Sequence, residues 1–235
     1  MADNRASSVE RIFSEVPATY ELVNHVLTMG LDFVWRRRAA KIAATANGGQ
    51  WADMCTGTGE MAANLSRLAP EGTKIYGIDF SEPMLEYARK KPEAARINFV
   101  VSDIKQLPFP DESFDLLTMS FATRNINLSK DILVQSFSEF YRVLKPGGRF
   151  VNLETSRPSI WPVRKCFHLY IKLFVKSVGT RISGARDAYT YLATTIPRFY
   201  SAQELADIMR QAGFNKVTFQ QCMFGVAAIH QSMKL

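Results

Sequence analysis

Between Gln50 and Gly213 short β-rich runs alternate with runs of helical period, and after Gly213 two β-rich runs follow each other with almost nothing between them. Alternation of this kind is the pattern of βαβ units on a mainly parallel sheet, whereas adjacent strands with no room for a crossover must pair antiparallel. The predicted strands are Gln50–Cys55, Lys74–Phe80, Ile97–Ser102, Phe114–Phe121 and Arg149–Glu154. Helices are expected over Glu60–Ala69, Glu82–Lys90 and Ser129–Leu144, and a hairpin over Lys216–Met223 and Val226–Lys234, turning at Phe224-Gly225. The fold class is therefore α/β, a mainly parallel seven-stranded sheet closed by an antiparallel hairpin. A dinucleotide dehydrogenase would continue with parallel strands.

Local chemistry supports these boundaries. Ile132, Leu133, Ser136, Phe137, Phe140, Tyr141 and Leu144 recur at helical spacing and make one mostly apolar face for the sheet. Lys145-Pro146-Gly147-Gly148 stops that helix, because proline cannot continue it and glycine supplies the positive φ of a tight turn. Ser201-Ala202-Gln203-Glu204 is a capping box that opens a last helix, and Gly213 follows as its C′ residue. With no internal repeat or low-complexity linker, one domain over 1–235 is expected, with an N-terminal helical cap at 1–45 and a lid-like insertion at 157–200.

Ligands of open α/β sheets bind at the carboxyl ends of the strands, and three such ends carry suitable groups. Asp53-Met54-Cys55-Thr56-Gly57-Thr58-Gly59-Glu60 leaves the first strand for the first helix, where glycine lets the backbone approach a ligand. Asp79, ending the second strand beside Phe80, can accept both hydroxyls of a ribose. Asp103 and Ile104 follow the third strand, where an acid can accept from an adenine amino group and an apolar side chain can cover a ring face. Together these point to a nucleotide-type ligand. The glycine turn alone leaves a nicotinamide-dependent oxidoreductase open, although no Tyr-x-x-x-Lys dyad accompanies it.

Composition narrows the partners less. A net charge of +7 with pI near 9.4 suits nucleic acid, an anionic membrane surface or an acidic ligand equally. Cys55, Cys166 and Cys222 lack metal-ligand spacing and are odd in number, so neither a zinc site nor a disulfide framework is expected and a reducing cytoplasm fits. The polar start Met1–Arg5 is unlike a signal peptide, and no stretch is apolar enough over ~18 residues to span a bilayer. The expectation is a cytoplasmic protein able to touch a membrane without crossing it.

The chain resembles the ubiquinone/menaquinone biosynthesis C-methyltransferases from Phe13 to Lys234. The likeness rests on Tyr20–Asn24, Cys55–Gly59, Gly77–Ser81, Ser120–Asn125, Arg142–Gly148, Tyr189–Leu192 with Ile196 and Phe199, and Gly225–His230. Five βα units followed by a hairpin is also the layout of class I S-adenosylmethionine-dependent methyltransferases. The resemblance implies S-adenosylmethionine as cofactor, no metal, and the ring of a reduced lipid-tailed quinol as acceptor. By position its cofactor contacts fall on Thr58, Asp79, Asp103, Ile104 and Ser120, with Asp53, Thr56, Gly57, Gly59 and Phe80 in the same segments. The chain departs from the family's usual Gly-Leu-Arg-Asn at Ala122-Thr123-Arg124-Asn125, and at Asp32 and Phe33, all toward the acceptor side.

A sulfonium methyl is already activated, so such an enzyme chiefly holds donor and nucleophile in line and excludes water. A reduced quinol that loses a hydroxyl proton gains nucleophilicity at the neighbouring ring carbon. Arg124 is the candidate to stabilise that phenolate and Asn125 to orient it, against a bland reading in which Arg124 pairs with a helix carboxylate. His25, Asp32, Tyr189 and Tyr191 are candidate bases; Asp32 can equally cap a helix beginning near Phe33. In Ser159–Val178, Phe167, Tyr170, Ile171, Phe174 and Val178 form one stripe and Lys165, His168, Lys172 and Lys176 another, as in a membrane-surface helix or a lid. Rival acceptors, namely other phenolic or lipid-like molecules, share every cofactor residue. A nucleic-acid partner is not expected, since strand four lacks the Pro-Pro-aromatic motif of amino-directed base methyltransferases and no base-reading module is appended.

Overall fold

Strands β1 (Gln50–Met54), β2 (Lys74–Asp79), β3 (Ile97–Val101), β4 (Phe114–Ser120), β5 (Leu144–Thr155), β6 (Asn215–Cys222) and β7 (Ala227–Met233) form one sheet in the order β3-β2-β1-β4-β5-β7-β6. The structure is a computed structural model, and it describes residues 17–46, 48–127, 129–175, 181 and 186–235. Pairing is parallel from β3 to β5, and β7 lies antiparallel between β5 and β6, with Asn152 opposite His230 and Gln220 opposite Ile229. The predicted strands are all present with ends shifted by a residue or two, except that β5 begins five residues earlier than expected. The Lys145–Gly148 turn is drawn into that strand: Gly147 N donates to Lys234 O and Lys234 N to Gly148 O.

Both faces of the sheet are buried, which explains why neighbouring residues such as Trp51-Ala52 and Leu116-Leu117 are apolar together and do not alternate with polar ones. Ala52, Met54, Leu117 and Met119 point to one core with Phe137 and Phe140 of helix α6 (Lys130–Val143), where Phe150 meets both rings edge-on at 5.6 and 5.4 Å. Trp51, Leu116, Val151 and Leu153 point to the other core, roofed by helices α2 (Leu31–Ala43) and α3 (Glu60–Leu68). Ala39, Ala40 and Ala43 are fully buried, so α2 is a structural layer of the sheet rather than only a cap over it. Small side chains let it approach closely.

Among the described residues the remaining α-helices are α1 (Pro17–Leu27), α4 (Glu82–Ala88), α5 (Thr123–Ile126), α7 (Trp161–Tyr170), α8 (Arg186–Thr195) and α9 (Ala202–Gln211). Helix α9 opens on the expected capping box: Glu204 N donates to Ser201 Oγ at 3.3 Å and Ser201 N to Glu204 Oε2 at 2.7 Å. Gly213, φ 103°, follows its end as predicted. Helix α7 runs directly into a π-turn, Ile171–Val175. The wider turn changes the face presented: Phe167, Ile171 and Val175 look inward, while Phe174, expected on the same stripe, is 49% exposed. Lys176 and Val178 lie outside the described residues, as do residues 1–16 of the expected cap.

Candidate active site

The loop leaving β1 and the acid ending β2 are bound to each other. Asp79 Oδ2 accepts Gly57 N–H at 2.8 Å and Oδ1 accepts Ser81 N–H at 2.9 Å. Burial nevertheless pushes the Asp79 carboxyl above its ordinary range, against the lowering effect of the amide donors. Gly57 has φ 55°, and a Cβ there would meet nothing within 4 Å, so its bare side is open to a ligand. With Thr56, Thr58, Phe80, Ser120 and Asp79, Gly57 lines a cavity of about 90 Å³ over the carboxyl ends of β1, β2 and β4.

Other residues expected at this cavity lie elsewhere. Asp53 is fully buried behind the loop, where its carboxylate accepts Thr56 Oγ1 at 2.6 Å and Thr118 Oγ1 at 2.8 Å. Burial pushes its carboxyl up to about 7, against the two hydroxyl donors. It braces the loop against β4 and does not line the cavity. Gly59 opens α3 at φ 80°, its absent Cβ making room for Ala88. Asp103 is exposed and bonded to Lys105 through Lys105 N at 2.9 Å and Nζ at 3.2 Å, while Ile104 turns into the core beside Leu107. Neither lines the cavity, because the turn after β3 spends its acid on its own backbone and its apolar side chain on the core.

A second, larger cavity of about 340 Å³ adjoins the first. Leu27, Phe167, Tyr170, Ile171, Val175, Leu192, Ile196 and Val226 make most of its wall. Its polar groups are few and gathered on one side: Asn24, Thr28, Asp32, Arg36, Arg124, Asn125 and Thr155. Asn24, Arg36, Phe121 and Asn125 line both cavities and so form their junction. An apolar chamber with a small polar corner is the usual build of a site for an apolar molecule carrying a polar head.

Arg124 and Asn125 stand at that corner. Strand β4 ends at Ser120, and Phe121, with a positive φ of 55°, turns the chain sharply into the short helix α5. Arg124 is 8% exposed and donates from a guanidinium nitrogen to Thr155 Oγ1 at 2.9 Å, with Glu154 Oε1 at 3.7 Å. Its partner acid is thus on strand β5 rather than on a helix. Arg124 Nε and Asn125 Oδ1 are buried without a hydrogen-bond partner, which leaves a donor and an acceptor for a bound molecule.

The opposite side of the junction is made by α1 and α2. His25 lines the smaller cavity and Asp32 the larger, and His25 Nδ1 lies 2.7 Å from Asp32 Oδ2. Asp32 sits within the first turn of α2, after Gly30, and its carboxylate is taken up by Thr28, His25 and Arg36 instead of capping the helix. Arg36 also stacks over the Phe121 ring at 5.0 Å. Sequence reasoning missed Arg36 and Thr28, although an acid and an arginine four apart on a helix, Asp32 and Arg36, carry a readable signal. The side chains of Tyr189 and Tyr191 lie outside the described residues.

Backbone strain concentrates at the two cavities. Of the non-glycine residues at positive φ, Met29, Cys55, Phe121, Met223 and Phe224 all line one or the other, while Glu112 and Lys216 line neither. Each such conformation costs about 1–3 kcal/mol and persists where the surroundings hold it.

Comparison with known proteins agrees with this geometry. Residues 1–234 match the model of the ubiE/COQ5 methyltransferase family. The chain is 36% identical over 231 residues to a ubiquinone/menaquinone biosynthesis C-methyltransferase of Desulfotalea psychrophila, covering 98% of this chain and 92% of that protein. To a demethylmenaquinone methyltransferase of Thermus thermophilus it is 39% identical over 221 residues, covering 93% and 98%. Among solved structures, an S-adenosylmethionine-dependent methyltransferase of Thermotoga maritima shares the fold, with TM-score 0.68 and 22% identity over 97% of this chain and 100% of that one. A phosphoethanolamine N-methyltransferase of Haemonchus contortus, solved with S-adenosyl-L-methionine, has TM-score 0.54 and 15% identity over 80% of this chain and 49% of that one.

Proposed function

The chain belongs to the ubiE/COQ5 methyltransferase family, and from that premise we propose that it methylates a ring carbon of a reduced, lipid-tailed quinol, demethylmenaquinol or a related benzoquinol. It is an S-adenosylmethionine-dependent methyltransferase, which answers the alternative of a nicotinamide oxidoreductase. The observation that carries the choice of acceptor is the apolar 340 Å³ cavity meeting the donor's cavity at Asn24, Arg36, Phe121 and Asn125.

Each side of the junction has a part. S-Adenosylmethionine supplies an activated methyl on a sulfonium. The residues of the smaller cavity fit it: Gly57 leaves a bare backbone face, Asp79 offers a carboxylate for ribose hydroxyls, Phe80 a 38%-exposed ring, and Thr56, Thr58 and Ser120 hydroxyls. On the acceptor side, Arg124 lies where a phenolate develops and its guanidinium stabilises that charge without changing protonation; Asn125 orients the oxygen. The apolar wall from Leu27 to Val226 excludes water and takes the start of the tail.

Membrane contact belongs to the same reading. Beyond the chamber, Leu169, Leu173 and Phe174 are exposed on α7 and its π-turn, beside exposed Lys165 and Lys172, and Trp161 is 57% exposed under Lys165 Nζ. Apolar and basic groups so combined suit an anionic bilayer surface. Among the described residues no helix is long and apolar enough to cross one.

The test supplies labelled methyl donor with a short-tailed demethylmenaquinone, reduced and oxidised. Label should enter the ring of the reduced form alone. Transfer to unrelated phenols and none to the quinol would replace this acceptor with another.

A further inference from the structure

Asp32 is 1% exposed, and three donors converge on it: Thr28 Oγ1 at 2.7 Å on Oδ1, and the Arg36 guanidinium and His25 Nδ1 on Oδ2. Burial works to raise the Asp32 carboxyl, but the Thr28 hydroxyl, the Arg36 charge and the neighbouring His25 together outweigh it and hold it below the usual carboxylate range. It is therefore ionised, and an ionised carboxylate only accepts. His25 must then carry its proton on Nδ1, which leaves the lone pair of the neutral ring on Nε2. Among the described residues Nε2 has no hydrogen-bond partner. The ring is also stacked on Phe33 at 3.8 Å, which fixes its plane.

The position of this pair matters as much as its chemistry. His25 lines the donor's cavity, Asp32 and Thr28 line the acceptor's, and Asn24 lines both. Arg36 alone already neutralises Asp32, so the histidine is surplus to charge balance. The other charged groups lining the donor's cavity are Glu21 on its own helix, Arg36 on α2, Glu60 on α3 and Asp79 at the end of β2.

We propose that His25 Nε2 is the general base that takes the acceptor's hydroxyl proton, and that Asp32 is the positioning residue that fixes its tautomer and orientation. The assignment rests on the quinol reading above. The O–H proton passes to Nε2, and the phenolate electron pair drives the ring carbon onto the methyl carbon. The C–S bond breaks with its pair kept by sulfur, leaving a thioether. The ring carbon then loses its hydrogen as a proton, the imidazolium returns its own to the oxygen, and one proton is released per methyl transferred.

Three measurements on the whole chain test this. In the ligand-free protein, nitrogen NMR of labelled histidine should show His25 as the Nδ1–H tautomer; an Nε2–H tautomer overturns the proposal. With reduced demethylquinol, kcat should fall at least a hundredfold in His25→Ala and His25→Gln, lose its acidic limb, and recover in part with added imidazole in the alanine variant, the scale of a lost general base. Asp32→Asn should lower kcat and weaken the preference for the Nδ1–H tautomer in the same NMR measurement, since the ring loses the carboxylate that fixes it. Donor affinity by calorimetry should fall far less than kcat throughout. A full rate and an unchanged limb in His25→Ala, or donor affinity lost in parallel with activity, makes His25 structural. A wild-type chain that binds donor but never methylates the quinol refutes the acceptor reading and this assignment with it.

Discussion

The carboxylate of Asp79 holds the amide of Gly57 at 2.8 Å, so the acid ending β2 fixes the loop leaving β1 as well as facing the donor. Replacing it by alanine removes an acceptor for the donor and the brace of the loop at once. Asp79→Ala should lower S-adenosylmethionine affinity by about 1–3 kcal/mol, the scale of a hydrogen bond to a charged group. Titration calorimetry measures it. Unchanged affinity would move the ribose elsewhere.

Asp53 predicts a pH dependence of opposite sign to most carboxylates. Its folded value of about 7 lies above its unfolded value near 3.8, so the stability it contributes is complete below the latter and is lost as pH rises through about 7. Asp53→Asn abolishes this titration. Urea unfolding of both proteins from pH 4 to 8 should show the variant gaining on the wild type toward alkaline pH, by up to a few kcal/mol. Parallel curves would mean that Asp53 is ionised throughout.

Arg124 should serve turnover and leave donor binding alone. Arg124→Ala is expected to lower kcat roughly a hundredfold or more with donor affinity nearly constant. Arg124→Lys should rescue only part, because an ammonium cannot reproduce the fork that reaches Thr155 while leaving Nε for the ligand. Single-turnover rates against calorimetric affinity separate the two quantities. A joint loss of affinity and thermal stability, with normal turnover per bound donor, would assign the arginine to the fold.

Lys165→Glu with Lys172→Glu should weaken sedimentation with anionic vesicles by about 1 kcal/mol per lysine, and leave binding to neutral vesicles unaltered. If both vesicle types bind equally before and after, α7 is only a roof over the acceptor's chamber.

Ser201→Ala should cost about 0.5–2 kcal/mol of stability, since it removes the hydroxyl that accepts Glu204 N–H at the start of α9. Thermal melts read the loss. Transfer activity at 25 °C should be normal.

The sheet was legible because its signals are local: alternating runs, the capping box at Ser201, and a gap too short for a crossover at Phe224-Gly225. The donor loop was legible for the same reason. What the sequence concealed depends on where side chains turn. Asp53 reads like a ligand because it precedes the glycine turn, yet a strand residue one step out of phase faces Thr118 and not the cavity. Phe174 reads as a member of the inward α7 stripe yet is exposed, because a π-turn at Ile171–Val175 leaves no mark in hydrophobic periodicity. Arg36 and Thr28 were missed because the corner they complete joins α1, α2 and the end of β4, which lie far apart in the chain.

The placing of β7 between β5 and β6 also orders the assembly of the molecule. Edge strand β6 has β7 as its one neighbour in the sheet, and the short connection between them lets the two pair as a hairpin before β7 is laid against β5. That docking joins Arg149 to Met233 across a long closed loop, an entropically slow contact. Until that docking, the facing edges of β5 and β7 are both unsatisfied, and this corner of the sheet, remote from the donor loop, is where self-association of incompletely folded chains should begin.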